Sequence, residues 1–354
     1  MTDVDRYAYD DLVGFAAALL QRAGLPGERA KGVAEVLVEA DLLGHTTHGL
    51  HLLAPYLQAL EAGTMAKAGE PAVIADHGAA ITWDGGYLPG PWLVVKAIDL
   101  ACERIRTHPV VTVAIQRSHH IACLAAYPKR ATDRGLFILL ASSDPAARAV
   151  APFGGLRPVY TPNPLAAGIP TQGDPIILDI SMSTTTMGLA SRLRQQGQRL
   201  PHAWLLDSEG NTSDDPAILS TDPPGTILPL GGTDLGHKGF ALGLLVEALT
   251  SALAGYGRAE QPARWGASVF LQVIDPEAFG GRAAFTRETG WLADACRDNP
   301  TRPGEPPVRL PGSQGLQLRA EQLHRGVSLY PTIIPALKPW AEKYGVPVPV
   351  AGGA

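Results

Sequence analysis

The sequence predicts a mixed α/β protein. Apolar stripes of helical spacing near both chain ends, and short β-rich runs between them, carry that prediction. Length and composition agree: 354 residues, 45% apolar and 18% charged, describe an ordered fold with room for two lobes or one large domain.

Asp10 and Asp11 stand ahead of Leu12, Phe15, Ala16, Leu19 and Leu20, and Gly24 with Pro26 closes the stripe, so a first helix has both ends marked. A second stripe of Val33, Val36, Leu37 and Ala40 stops at Gly44. Pro55 suits the first turn of a third helix carrying Tyr56, Leu57 and Leu60 and ended by Gly63. The stretch GHTTHGLHLL is therefore a helix-helix connection. From about residue 72 the runs AVIAD, AITWDGG, PVVTVAIQ, LFILLASSD, PIILDIS and SVFLQVI read as strands broken by Gly, Asp and Pro. Helices are expected over 91–106, 122–134 and 239–254. The region from about 298 to 315 is rich in Pro and Gly and reads as an extended crossing segment before a last helical tail, PTIIPALKPWAEKYG.

Several function classes are disfavoured. The formal charge is only -5 and RLRQQGQR is the one local basic cluster, which argues against nucleic acid or an anionic membrane as main partner. The start, MTDVDRYAYDDLVGF, lacks a secretory pattern, and FALGLLVEALTSALAG carries Glu247 and is too short to cross a bilayer, so a cytoplasmic address is expected. Three dispersed cysteines, Cys102, Cys123 and Cys296, suggest neither a disulfide framework nor a Cys-based zinc site; they read as buried thiols.

The chemistry-bearing candidates are scattered. His45, His48 and His51 are spaced i, i+3 and admit three readings: a proton donor, metal ligands or a polar turn. No carboxylate stands nearby at a known metal spacing, so no metal is expected. His119 and His120 follow one strand-like run, and Asp144 follows another, where side chains commonly point into a cleft. Neither GxGxxG nor GxxxxGK[ST] occurs, so a Rossmann or P-loop site has no support. In LGGTDLGHKGF, Lys238 stands at the expected start of an apolar helix, either as part of an anion site or as a solvated lysine. Asp179, ending IILD, suits a ribose hydroxyl or a strand-end turn equally well.

Taken in order, THG (47–49), SHH (118–120), APFGG (151–155), NPLAAGIP (163–170), LDISMS (178–183), PLGG with HKGFALGLLVEALTSALAG (229–255) and VRLPG (308–312) resemble the malate/L-lactate dehydrogenase family of the second type. That group is non-Rossmann and includes ureidoglycolate, sulfolactate and diketogulonate enzymes and cyclic-imine carboxylate reductases. The resemblance spans nearly the whole chain. It implies a helical lobe from residues 1–75 and 298–354 on the substrate and dimer side. It further implies that residues 76–297 form a central domain whose large mixed sheet binds NAD or NADP, and that the protein is a homodimer. Position for position, it assigns His48 as the acid/base, His120 as the second pocket histidine and Asp144 as their support, with Thr47 beside the substrate. To the coenzyme it assigns Asn163, Pro164, Asp179, Ser181, Ser183, Lys238, Gly239, Pro311 and Gly312.

The chain departs from the family pattern in four places. Leu52 stands where many members carry a carboxylate-binding arginine, and Arg148 and Arg117 are the candidates to replace it. His120-Ile121-Ala122 replaces His-Phe-Gly, Thr161-Pro162-Asn163-Pro164 replaces Gly-Thr-Asn-Pro, and Ser313 replaces an acidic residue. The implied reaction is hydride transfer between NAD(P)H and a 2-keto acid or a cyclic imine carboxylate, His48 exchanging the proton. Two other classes remain open at this level: a member that binds coenzyme without turnover, and a histidine-rich metal hydrolase.

Overall fold

The computed structural model describes residues 5–352. After a two-residue strand β1 (Arg6–Tyr7), the chain forms α1 (Tyr9–Arg22), α2 (Gly27–Leu42) and α3 (Leu53–Glu61). The first two helices run between the turn residues that the sequence marks. A hairpin, β2 (Ala72–Asp76) and β3 (Ala80–Asp84), leads to α4 (Gly90–Arg104), β4 (Val110–Ser118), a single turn α5 (Lys129–Thr132), β5 (Phe137–Ser143), β6 (Leu165–Ile169) and β7 (Ile176–Ile180). Beyond α6 (Met187–Gln195), the short strands β8 (Leu205–Leu206), β9 (Thr212–Ser213) and β10 (Thr226–Ile227) make a small sheet. Then come α7 (Gly232–Glu247), β11 (Ala267–Ile274), α8 (Arg282–Arg297), α9 (Ser313–Arg325), β12 (Val327–Ser328), which pairs with β1, and α10 (Ile333–Tyr344).

Seven strands form the main sheet in the order β2-β3-β4-β11-β5-β6-β7. Only β3 and β4 are parallel; β11, entering from far along the chain, pairs antiparallel with both β4 and β5. Its first residues, Ala267 and Ser268, lie opposite Ser118 and Ser143. Leu165 at the start of β6 lies opposite Ala141 of β5 and Ile180 of β7. The carboxyl ends of β4, β5 and β7 and the amino ends of β6 and β11 therefore share one rim. The largest apolar core joins α1 to α4 and α10 to this sheet, with Leu12, Leu37, Leu57, Ile115, Leu271 and Leu337 all buried. Among the described residues no helix is long and apolar enough to cross a membrane.

The mixed α/β class and the six expected strands stand. The expected helix over 122–134 is reduced to isolated turns at Leu124–Ala126 and Lys129–Thr132, because Pro128 interrupts it and Ala122 adopts φ 60°. The helix expected over 239–254 starts at Gly232 and continues as a π-turn over Ala248–Ala252. The crossing segment is irregular to Gly312, but residues 313–315 already belong to α9.

Gly90, at the start of α4, shows how tightly the rim is packed. A Cβ there would sit 2.3 Å from the His119 carbonyl oxygen and 2.4 Å from that of His120. Both obstacles are backbone, so Gly90→Ala is expected to cost about 1–3 kcal/mol or more. A thermal midpoint equal to that of the wild type would show that the rim yields without strain.

Candidate active site

The rim brings together what the sequence scatters. The end of β4 delivers His119 and His120, the end of β5 delivers Ser142 to Asp144, and Trp265 to Ala267 precede and open β11. The connection between α2 and α3 brings His45, Thr47 and His48 over this rim. Together with Cys123, Pro164, Asp179, Ser181 and the first turn of α6, they line a cavity of about 450 Å³. A second cavity, of about 780 Å³, adjoins it and shares His45 and Asp179; Pro311, Gly312 and Arg309 form its far wall.

His48 and His120 stack with ring centroids 6.0 Å apart and 26° between planes. Nδ1 of His48 lies 2.8 Å from Thr47 Oγ1. Nδ1 of His120 accepts the Ala122 N–H at 3.2 Å, so the neutral ring carries its proton on Nε2. The Tyr56 hydroxyl lies 2.9 Å from the same Nδ1 and 3.0 Å from the His120 carbonyl oxygen. Trp265 packs on the other side of the ring, with centroids 5.1 Å apart.

Burial sets the protonation of the pair. It pushes His48 down to about 4, helped by the neighbouring charges of His45, His51 and Arg192, and it holds His120 well below the usual histidine range. Both rings are neutral at pH 7 in the free protein. Asp144 is pushed up to about 6 by burial, against the Ala146 amide and Arg258. Its carboxylate accepts the Ala146 N–H at 2.9 Å, and among the described residues no hydrogen bond joins it to His48 or His120. Its contacts are with backbone amides of its own loop and of Gly266, not with an imidazole.

Beneath the His48 turn lies Asp41, which sequence reasoning missed. Its Oδ2 accepts the Leu50 N–H at 2.7 Å, while Oδ1 is buried without a partner. A Cβ on Gly49 would fall 2.4 Å from this carboxylate. The glycine of the THG motif thus makes room for Asp41 from below. Tyr56, Cys123 and Trp265 were missed as well, because each reads locally as core; only the tertiary packing reveals that they reach the rim.

Five expected residues lie elsewhere, and a sixth, Arg148, stands exposed beside the cavity. Asn163 is fully buried at φ 48°, donating to the Gly243 carbonyl at 3.1 Å and to Glu247 Oε1 at 3.0 Å, so it ties the rim to α7 and does not face the cavity. Arg117 is held by Asp84, its Nε 2.9 Å from Oδ1. Ser183 is buried and donates to the Thr185 carbonyl at 2.7 Å. Lys238 is exposed in the second turn of α7, past the amino terminus where free N–H groups would favour an anion. Gly239 is a packing glycine, since a Cβ would meet Leu230 backbone at 2.4 Å. Arg148 is exposed just beyond Ala147, which lines the cavity. Gly312 does border the second cavity, at φ 81° and close against Ile177. The metal-ligand residues that come together are not the three neighbouring histidines but His45, Cys123 and Asp179.

Two neutral imidazoles at one end of a long, partly apolar cleft are the equipment of an enzyme that moves protons on a small molecule beside a larger organic ligand. The malate/L-lactate dehydrogenase family model matches residues 7–338, and the chain belongs to that family of oxidoreductases. It is 31% identical over 344 residues to an L-lactate dehydrogenase of Cupriavidus necator, covering 95% of this chain and 97% of the relative. Its fold matches a malate dehydrogenase of Entamoeba histolytica with a TM-score of 0.91 at 24% identity, over 98% of this chain and 99% of the other. It also matches a delta1-piperideine-2-carboxylate reductase of Pseudomonas syringae with a TM-score of 0.82 at 26% identity, covering 95% and 99%.

Burial raises Asp41 to about 7, against the Leu50 amide and Arg192. Its folded pKa thus exceeds the unfolded value of about 4. Below about pH 4 the group is protonated in both states and costs nothing. Between about pH 4 and 7 the unfolded chain releases a proton that the folded chain keeps, so stability is lost as pH rises through that window. Asp41→Asn removes the ionisation, and its melting temperature relative to the wild type is expected to rise from about pH 5 to about pH 8. A constant difference would exclude a buried, titrating Asp41.

Proposed function

We propose that this dehydrogenase transfers hydride reversibly between a nicotinamide coenzyme, NAD or NADP, and a 2-keto or 2-hydroxy acid or a cyclic imine carboxylate, with His48 as acid/base. The observation that carries the reading is the His48–His120 pair at one end of two adjoining cavities that share Asp179. The cleft fits an elongated coenzyme: Asp179 at the junction suits a ribose hydroxyl, Ser181 and Pro164 line one side, and Pro311 and Gly312 wall the far end. When bound, the nicotinamide supplies the hydride chemistry.

The protein's residues do the rest. In the oxidative direction His48 donates Nδ1–H to Thr47 and offers its Nε2 lone pair to the substrate hydroxyl; its low pKa keeps that lone pair free at neutral pH. In the reductive direction the same ring must first gain a proton, which an anionic substrate beside it promotes. His120, protonated on Nε2, donates to the substrate oxygen or nitrogen, and Tyr56 and Trp265 hold its plane. With Leu52 in place of an arginine and Arg117 committed to Asp84, Arg148 is the remaining candidate for the substrate carboxylate.

We also propose a homodimer, built not on the terminal helices where the sequence resemblance puts the dimer side but on α7 of the central region, whose Leu235, Leu242 and Leu245 are 50%, 41% and 49% exposed at spacings that keep them on adjacent faces. Gly243 and Glu247 of the same helix hold Asn163, so this interface would brace the rim from outside.

His48→Ala is expected to lower turnover by about 10² to 10⁴ while NADH or NADPH binding, read by fluorescence titration, is retained. Turnover of 2-keto acids or cyclic imines close to wild type would remove His48 from this role. Leu242→Glu with Leu245→Glu is expected to halve the mass found by light scattering; an unchanged mass would place any interface elsewhere.

A further inference from the structure

We propose that His45, Cys123 and Asp179 form a site for a thiophilic divalent cation, zinc foremost, where the two cavities join, and that the ion and the coenzyme exclude each other there. The three residues come from distant parts of the chain: the α2–α3 connection, the loop after β4 and the end of β7. One ligand atom from each lies within 4.8 Å of the other two. Cys123 Sγ is 3.6 Å from Asp179 Oδ2. Tetrahedral zinc, with bonds of about 2.3 Å to sulfur and about 2.1 Å to oxygen, sets two such ligands about 3.6 Å apart. The sulfur–oxygen edge of the site is therefore already at its bound length. What remains is approach by His45, an exposed side chain free to rotate inward.

The donor set selects the ion. One imidazole, one thiolate and one carboxylate form the mixed nitrogen, sulfur and oxygen set that suits zinc, whereas magnesium and calcium take oxygen ligands. A thiolate and a carboxylate together balance a divalent charge, and binding releases the protons they carry. The Ala125 N–H, 2.8 Å from Asp179 Oδ2, fixes the carboxylate from outside, as outer partners do at built metal sites. The fourth position opens to the cleft. Because His45 and Asp179 line both cavities, an ion held by them stands in the passage between the two. The exclusion half of the proposal rests on the coenzyme reading given above; the metal site does not.

The test uses the full-length protein, reduced and stripped with a chelator, without coenzyme. Cobalt(II) is added as the spectroscopic probe and zinc is titrated by calorimetry. One equivalent per chain is expected, with a thiolate-to-cobalt charge-transfer band. Cys123→Ser should abolish that band, and His45→Ala, a change at the surface that leaves the core untouched, should weaken zinc binding by more than about tenfold. A missing band, or zinc binding indifferent to both substitutions, overturns the site. With saturating NADH or NADPH, whichever the protein binds, the zinc isotherm should weaken; an unchanged isotherm in protein shown to bind that coenzyme overturns the exclusion. Failure to bind either NADH or NADPH overturns the coenzyme reading and the exclusion with it, and the cobalt spectrum still decides the site.

Discussion

The pairing of β11 between β4 and β5 is the constraint on which the site depends. Because β11 runs antiparallel to both, β4 and β5 must point the same way, and the residues that follow them emerge at one edge. The antiparallel pairings of β6 with β5 and of β7 with β6 then return Asp179 to that edge. A shift of register by one residue would turn every side chain to the other face of the sheet. The alternation that buries Val111, Val113 and Ile115 holds β4 on the core, and the irregularity after Ile115, with Arg117 at φ 51°, then sets how the chain leaves the sheet toward His120.

This explains which parts were legible from sequence. Period-two runs of Val, Ile and Leu mark the long strands, and the turn residues around α1 to α3 mark their ends, because local propensity and tertiary packing agree there. The helix α9 was not legible: of SQGLQLRAEQLHR the fully buried side chain is Gln322, whose amide donates to the carbonyls of Asp41 and Leu42 at 3.0 Å each. A polar residue used as a tether leaves no apolar stripe to read. The turns at 122–134 erred in the opposite direction, since small apolar residues there fill space near the rim without helical hydrogen bonding.

The site follows the same division. Histidines at a helix junction and a strand end are visible as chemistry-bearing residues, and their order along the chain points to the family. Which of the flanking residues face the cleft depends on backbone detail that spacing does not encode. Asn163 at positive φ turns inward to Glu247, and Lys238 is carried onto a helix that begins two turns earlier than its apolar run suggests. His45, Cys123 and Asp179, separated by 78 and 56 positions in the sequence, become neighbours only through the sheet.

Burial with few countercharges gives the site its electrostatic character. Each imidazole of the pair loses the solvation that would stabilise its charge, and among the described residues no carboxylate hydrogen-bonds to either ring to restore it, so the resting form is neutral. Asp41 is shielded from His48 by the turn it supports and is itself driven toward neutrality, so it orders the backbone without acting as a counterion. A charge arriving with the substrate then meets little competing field. In a cleft of low polarity an incoming carboxylate shifts the His48 equilibrium more than it would in water. On the acid/base role proposed for His48, its protonation is thereby tied to occupancy of the site, and the free protein does not hold a reactive proton in reserve.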